Sequence, residues 1–158
     1  MANTQAMCTS FMGELMTATH NFGVAPIRAA TTVDSFKAAL YLASATMNAA
    51  STVYTSTGEV TGTGYTAGGV AVTMGTVPTA TNSSATAGVA FVTPSASITY
   101  TTVTLSTAFD AVLLYNSTQS NKAVSVHTFG SQTVTAGTFT LTMPANTTTT
   151  ALIRLATT

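Results

Sequence analysis

The sequence predicts a mainly β protein: a single antiparallel, sandwich- or jelly-roll-like domain over residues 1–158, with about eight or nine short strands and one N-terminal helix. Three observations lead there. Apolar residues fall on a helical stripe only near the start, at Met7, Phe11 and Leu15, with Cys8, Met12 and Met16 on the adjoining line. From Asp34 on, short runs alternate apolar and polar residues with the period of two that a half-buried strand requires. Between those runs lie segments rich in Ser, Thr, Asn and Gly, the residues of turns.

The helix is expected over residues 4–20. Asn3 or Thr4 caps it, and Asn21 or Gly23 ends it shortly before Pro26. The β-domain occupies residues 34–158. Its first strand is Phe36–Leu42, a segment whose pattern also admits a helix but is favoured as a strand because Phe36, Ala38, Leu40 and Leu42 alternate with Lys37, Ala39 and Tyr41. Further strands are expected at Thr52–Thr55, Gly69–Met74, Val89–Thr93, Ser97–Leu105, Phe109–Asn116, Lys122–Phe129, Thr138–Met143 and Ala151–Ala156. The apolar phase slips by one residue between Tyr100 and Val103, as a β-bulge requires. Val112–Tyr115 is apolar on both faces and reads as a central strand. Thr79–Gly88, Asn116–Asn121 and Ala145–Thr150 read as turns.

Composition narrows function before any motif does. Only four basic and four acidic residues are present, 5% of the chain against about 25% in an ordinary domain. A neutral surface built from hydroxyls and small apolar groups associates readily, so the chain reads as an assembly component. Arg28, Lys37, Lys122 and Arg154 are too scattered to grip phosphates, which argues against nucleic acid. No apolar run is long enough for a membrane span, and no secretory leader is visible. The single cysteine, Cys8, forms no internal disulfide. Synthesis in a host cytoplasm and work outside a cell are both met by a protein of a virus particle.

Chemistry-bearing constellations are sparse. Gly62-Thr63-Gly64 has a dinucleotide-loop look, but Val70-Ala71-Val72 follows it where a helix should open, so no cofactor is expected. A bent connection anchored by Tyr65, with Gly62, Gly64, Gly68 and Gly69 supplying the bends, is the expected structure. His20 and Cys8 stand about 18 Å apart if they share one helix, too far to share a metal. No paired ligand spacing exists, so no metal site is expected. A serine hydrolase would need His127 to meet Asp110 or Asp34 in space, and no enzyme is expected. Asn-x-Ser/Thr triplets begin at Asn82, Asn116 and Asn146, as a Ser/Thr-rich chain produces by chance.

Three stretches taken together resemble a family of small tailed-bacteriophage structural proteins. They are Met1–Phe11 with His20-Asn21-Phe22; Asp34–Tyr41 with Glu59–Gly69; and a tail of Phe109–Tyr115, Phe129-Gly130, Val134–Thr140 and Leu152–Leu155. The string Gly62–Gly69 is the most specific part. The resemblance implies a virion component, a head decoration or cement protein, and implies no catalytic residue. On this reading the partners are the major capsid protein and other copies of the chain, as a trimer, with no nucleic acid and no membrane. Its place is the capsid surface. Phe11 and Leu15 on the helix stripe, with the glycine segment around Tyr65, are the structural or interface candidates, and core packing is the favoured reading of the stripe. A tail, neck or fibre component contributing to host attachment is the alternative.

Overall fold

The computed structural model describes residues 3–16, 19–20, 22, 33–75, 77–82 and 88–156. Its first element is a two-residue strand, β1 (Ala6–Met7), followed by a short helix, α1 (Thr9–Met16). Long-range strands then take over: β2 (Phe36–Leu42), β3 (Val70–Val72), β4 (Thr79–Asn82), β5 (Gly88–Val92), β6 (Ile98–Asn116), β7 (Lys122–Leu141) and β8 (Ile153–Ala156). The protein is mainly β with antiparallel sheets.

The helix expected over residues 4–20 is not formed. Ala6 and Met7 pair with Val126 and Ser125 of β7, and the Cys8 amide donates to the Val124 carbonyl, so these backbone groups are committed to a sheet. Among the described residues, helical geometry is found at Thr9–Met16, with Gly13 inside it weakening the local preference. His20 does not continue the axis either. Its ring centroid lies 4.8 Å from that of Phe11, whereas nine residues of helix would separate them by about 14 Å. The distance reasoned for Cys8 and His20 on one helix therefore does not apply.

Two compact units are distinguishable, one of residues 1–20, 34–72 and 98–140, the other of residues 21–33, 73–97 and 141–158. The first contains a five-stranded sheet in the order β1-β7-β6-β2-β3. Phe36 sits opposite Asn116 and Leu40 opposite Val112, placing β6 between β7 and β2. That position accounts for Val112–Tyr115, which is buried on both faces. Tyr41, Tyr100, Phe11, Phe36 and Phe109 are the largest side chains of this core. The second unit contains a three-stranded sheet, β4-β5-β8, in which Thr79 faces Phe91 and Val92 faces Ile153.

Four of the short strands expected from sequence are merged into two long ones. Pairing continues through Ser106–Ala108 and Gly130–Gly137, so β6 runs 19 residues and β7 runs 20. They do not run straight. Ten residues of straight strand would carry Phe139 about 33 Å from Phe129, yet their ring centroids lie 5.3 Å apart. Phe109 touches both, at 6.0 Å and 5.0 Å, and Phe139 also approaches Tyr100 at 6.1 Å. The ribbon thus doubles back and traps these rings in its fold. Thr102 (φ 53°) in β6 and Ala136 (φ 44°) in β7 take left-handed backbone, and Thr102 is where the sequence phase slips. Elsewhere, Thr52–Thr55 is a single bridge from Val53 to Lys122 instead of a strand, and Thr79–Asn82 is a strand instead of a turn.

Candidate functional site

The segment from Gly58 to Gly69 is stitched to two strands in turn. Leu42 N donates to Gly58 O at 2.9 Å and Val60 N to Leu40 O at 3.0 Å, after which the chain crosses to β6, where Thr104 N donates to Thr63 O at 2.9 Å. The crossing needs glycine. Gly64 has φ +79°, and a Cβ there would overlap the Thr102 carbonyl oxygen; Gly69 has φ +71°, and a Cβ there would overlap the Ala38 carbonyl oxygen.

This path buries Glu59 and points its carboxylate at the chain's tyrosines. Oε1 accepts from the Tyr65 hydroxyl at 2.7 Å and the Gly68 amide at 2.7 Å, while Oε2 accepts from the Tyr54 hydroxyl at 2.6 Å. Tyr65 in turn accepts from the Leu40 amide at 3.0 Å. Tyr115 stacks on Tyr54 with centroids 4.9 Å apart and donates to Gly68 O at 2.7 Å. Tyr100 stacks on Tyr65 and donates to Ala38 O at 2.9 Å, and Tyr41, bridged to Glu59 through the backbone, donates to Thr55 O. All five tyrosines of the sequence therefore surround one carboxylate.

Burial first, and then the Glu59 carboxylate, push the Tyr54 hydroxyl up to about 12 and raise Tyr65 as well. These phenols stay protonated as donors, and three charge-assisted bonds occupy the carboxylate. The arrangement is a clamp on the glycine segment, with its acceptor capacity turned inward.

A second polar chain links α1 to the turn between β6 and β7. Lys122 Nζ donates to Glu14 Oε1 at 2.6 Å, and His20 Nε2 donates to Glu14 Oε2 at 2.7 Å. Asn116 Nδ2 donates to His20 Nδ1 at 3.1 Å and to Asp34 Oδ2 at 2.8 Å, and Gln119 Nε2 donates to Asp34 Oδ1 at 3.1 Å. Burial pushes His20 below the usual histidine range. Burial alone would raise Glu14, but Lys122 and His20 outweigh it and hold the carboxyl below its ordinary value. Burial also pushes the Cys8 thiol up to about 11, so it is not an activated nucleophile.

Ser125 Oγ lies 2.8 Å from His127 Nε2, a pairing the sequence did not single out. Burial lowers His127 to about 4. Of the carboxylates a hydrolytic triad would need, Asp110 accepts from Asn3 at 2.5 Å, and Asp34 is held by Asn116 and Gln119. Among the described residues no three His, Cys, Asp or Glu side chains gather as metal ligands. On the second unit's sheet, Ala80, Val89, Ala90, Leu155 and their neighbours line an apolar depression of about 310 Å³ with no titratable group.

The structural or interface candidates divide between the two roles. Phe11 is fully buried against His20 and belongs to the core, so it cannot serve as an exposed contact. Leu15 is half-buried. Gly62 and Gly64 are exposed, Tyr65 and Gly68 bond inward to Glu59, and half-buried Gly69 lies against the Ala38 backbone. Asn116, fully buried and bonded through both ends of its amide, is closed to glycosylation, whereas Asn146 is exposed. A scan against protein-family models and searches of curated proteins and of solved structures found no match.

Proposed function

We propose that the chain is a structural component of a tailed-phage particle, a capsid decoration or cement protein that binds the outer shell and ties capsomers together. One observation carries the reading: the charges are few, and two of them, Asp34 and Glu59, are buried. Arg28 lies outside the described residues; of the other seven charged residues Arg154 is exposed, and the Lys122 side chain is partly so. Glu14 is held by Lys122. A surface so poor in charge is poorly protected against association, which suits a protein whose working state is an assembly. Repeated uncharged contacts gain strength through effective concentration and are little weakened by salt.

With Phe11 in the core, the attachment surface moves from the helix stripe to the outer faces of the long strands. Exposed Thr99, Thr101, Thr107, Ser131, Thr133 and Thr135 give those faces a hydroxyl covering. The resemblance to phage structural proteins rests on the residues that carry it. Trimeric self-association, the major capsid protein as partner and a sandwich or jelly-roll-like organisation belong to the same proposal. A tail, neck or fibre role is the second reading, favoured by half-buried Phe129 and Phe139 beside exposed hydroxyls, an arrangement suited to glycans.

Counting copies per purified particle by quantitative mass spectrometry tests the choice. Hundreds of copies, with genome loss at lower temperature once the protein is stripped, are expected of cement. A dozen or fewer, with unchanged heat resistance and lost adsorption to cells, would replace it with the tail reading.

A further inference from the structure

We propose that Lys122, Glu14, His20, Asn116 and Asp34 form an acid-sensitive latch, which lets α1 and the chain up to His20 go from the β6–β7 turn when His20 takes up a proton. The two halves of the latch come from distant parts of the sequence. Glu14 and His20 belong to the N-terminal segment; Asn116, Gln119 and Lys122 surround the turn; Asp34 stands just before β2.

The hydrogen-bond directions fix the charge state of the closed latch. Glu14 is an acceptor, so His20 Nε2 carries the proton toward it at 2.7 Å. Asn116 Nδ2 is a donor, so His20 Nδ1 presents its lone pair at 3.1 Å. His20 is therefore neutral when the latch is closed. A second proton, on Nδ1, would set donor against donor.

Asn116 cannot relieve that conflict by rotating its amide. Its Oδ1 accepts from the backbone amides of Thr118 and Gln119, both at 3.1 Å, and so holds the turn in which Ser120 and Asn121 adopt left-handed backbone. Its Nδ2 also serves Asp34 at 2.8 Å. Turning the amide over would strand two turn amides and the Asp34 carboxylate together. The histidine is the member that gives way.

The charged groups around His20 oppose one another: Glu14 and Asp34 favour the protonated ring, while burial, the largest effect, and Lys122 disfavour it and prevail. Glu14 faces it from α1, Asp34 from before β2 and Lys122 from β7, while the Cys8 thiol ahead of α1 stays neutral. Glu14 is already shared with Lys122 at 2.6 Å, and the His20 side chain is fully buried. Burial holds the folded histidine below its ordinary value of 6.5, so the released form binds more protons. Release is thus favoured as pH falls below 6.5 and levels off once the folded value is passed. Glu14, held below 4.5, adds in the same sense at lower pH.

Cys8, buried at the entrance to α1, reports the opening. In the full chain, its reaction with a dipyridyl disulfide, which attacks thiols in mild acid, is expected to speed up about ten-fold for each pH unit below 6.5, with the near-ultraviolet tyrosine signal unchanged. His20→Gln, which keeps an amide donor for Glu14 but cannot titrate, is expected to remove that slope down to the carboxylate range. His127→Gln is expected to leave it. The same slope in His20→Gln, or a flat profile in the natural chain, overturns the latch. Should His20→Gln fail to fold, the ring signals of His20 in the natural chain decide by NMR. A ring that stays neutral below 6.5 until Cys8 becomes reactive supports the proposal, and one that titrates at or above 6.5 while Cys8 stays protected overturns it.

Discussion

Replacing Gly64 by alanine probes whether the glycine segment is part of the folded core or a loop free to adapt. Gly64 has φ +79°, and an added Cβ would overlap the Thr102 carbonyl oxygen while lying 3.1 Å from its carbonyl carbon and 3.3 Å from Val103 Cα. None of these atoms is the end of a flexible side chain. The neighbouring bridge, Thr104 N to Thr63 O at 2.9 Å, prevents the segment from backing away. Left-handed backbone costs a residue with a Cβ about 1–2 kcal/mol, and forcing an atom into packed space costs about 1–3 kcal/mol more, so Gly64→Ala should destabilise by about 2–5 kcal/mol. Gly130→Ala is the control: no atom lies within 4 Å of its added Cβ. Relief of glycine's flexibility there should stabilise by up to about 1 kcal/mol. Urea denaturation followed by tyrosine fluorescence should place the Gly64→Ala midpoint about 1–2 M below the natural chain. A midpoint equal to that of the natural chain, or of Gly130→Ala, would refute the reasoning and leave an adaptable docking loop as the better description.

The Glu59 clamp sets an alkaline limit. Because Tyr54 is raised from 10 to about 12 by burial and its bond to Glu59, the folded state holds more protons in that window, so stability present below pH 10 is lost as pH rises toward 12. Phenolate absorbance followed together with unfolding should show the two rising as one, and Tyr54→Phe, at a cost of about 1.5–3 kcal/mol for a bond to a charged group, should change that alkaline profile. Phe11→Ala should cost about 3–5 kcal/mol in thermal or urea unfolding; unchanged stability with weakened particle binding would return Phe11 to the interface.

The alternation of Phe36–Leu42 and the two-sided apolar run Val112–Tyr115 were readable because each is a local pattern with one period and buried neighbours. The opening was misread for a physical reason. Met7, Phe11 and Leu15 satisfy a helical stripe, but Ala6, Met7 and Cys8 spend their backbone bonds on β7, a long-range partner that no local window reveals. β4 was hidden likewise, since Thr79–Asn82 carries turn residues and becomes a strand only beside β5. The bends around Gly64, Gly68 and Gly69 were legible from composition, and Tyr65 as their anchor followed. Glu59 as the acceptor was not, because the tyrosines that define it come from β2, β6 and two loops. Nor were Glu14, His20 and Asn116, whose spacing matches no motif and whose meeting joins stretches about a hundred residues apart.

The pairing of β1 with β7 also orders events at the ribosome. Ala6 and Met7 meet partners, Val126 and Ser125, that belong to the last strand of the five-stranded sheet to be synthesised. At roughly 5–20 residues per second, the beginning of the chain waits on the order of ten seconds for that strand. During the wait Phe11 has no finished core to enter, and few charges stand near it to keep other nascent chains away. Neighbouring copies on one message are then the nearest apolar surfaces it can find, so the yield of correctly closed protein should depend on translation speed and on chaperones that cover the first twenty residues.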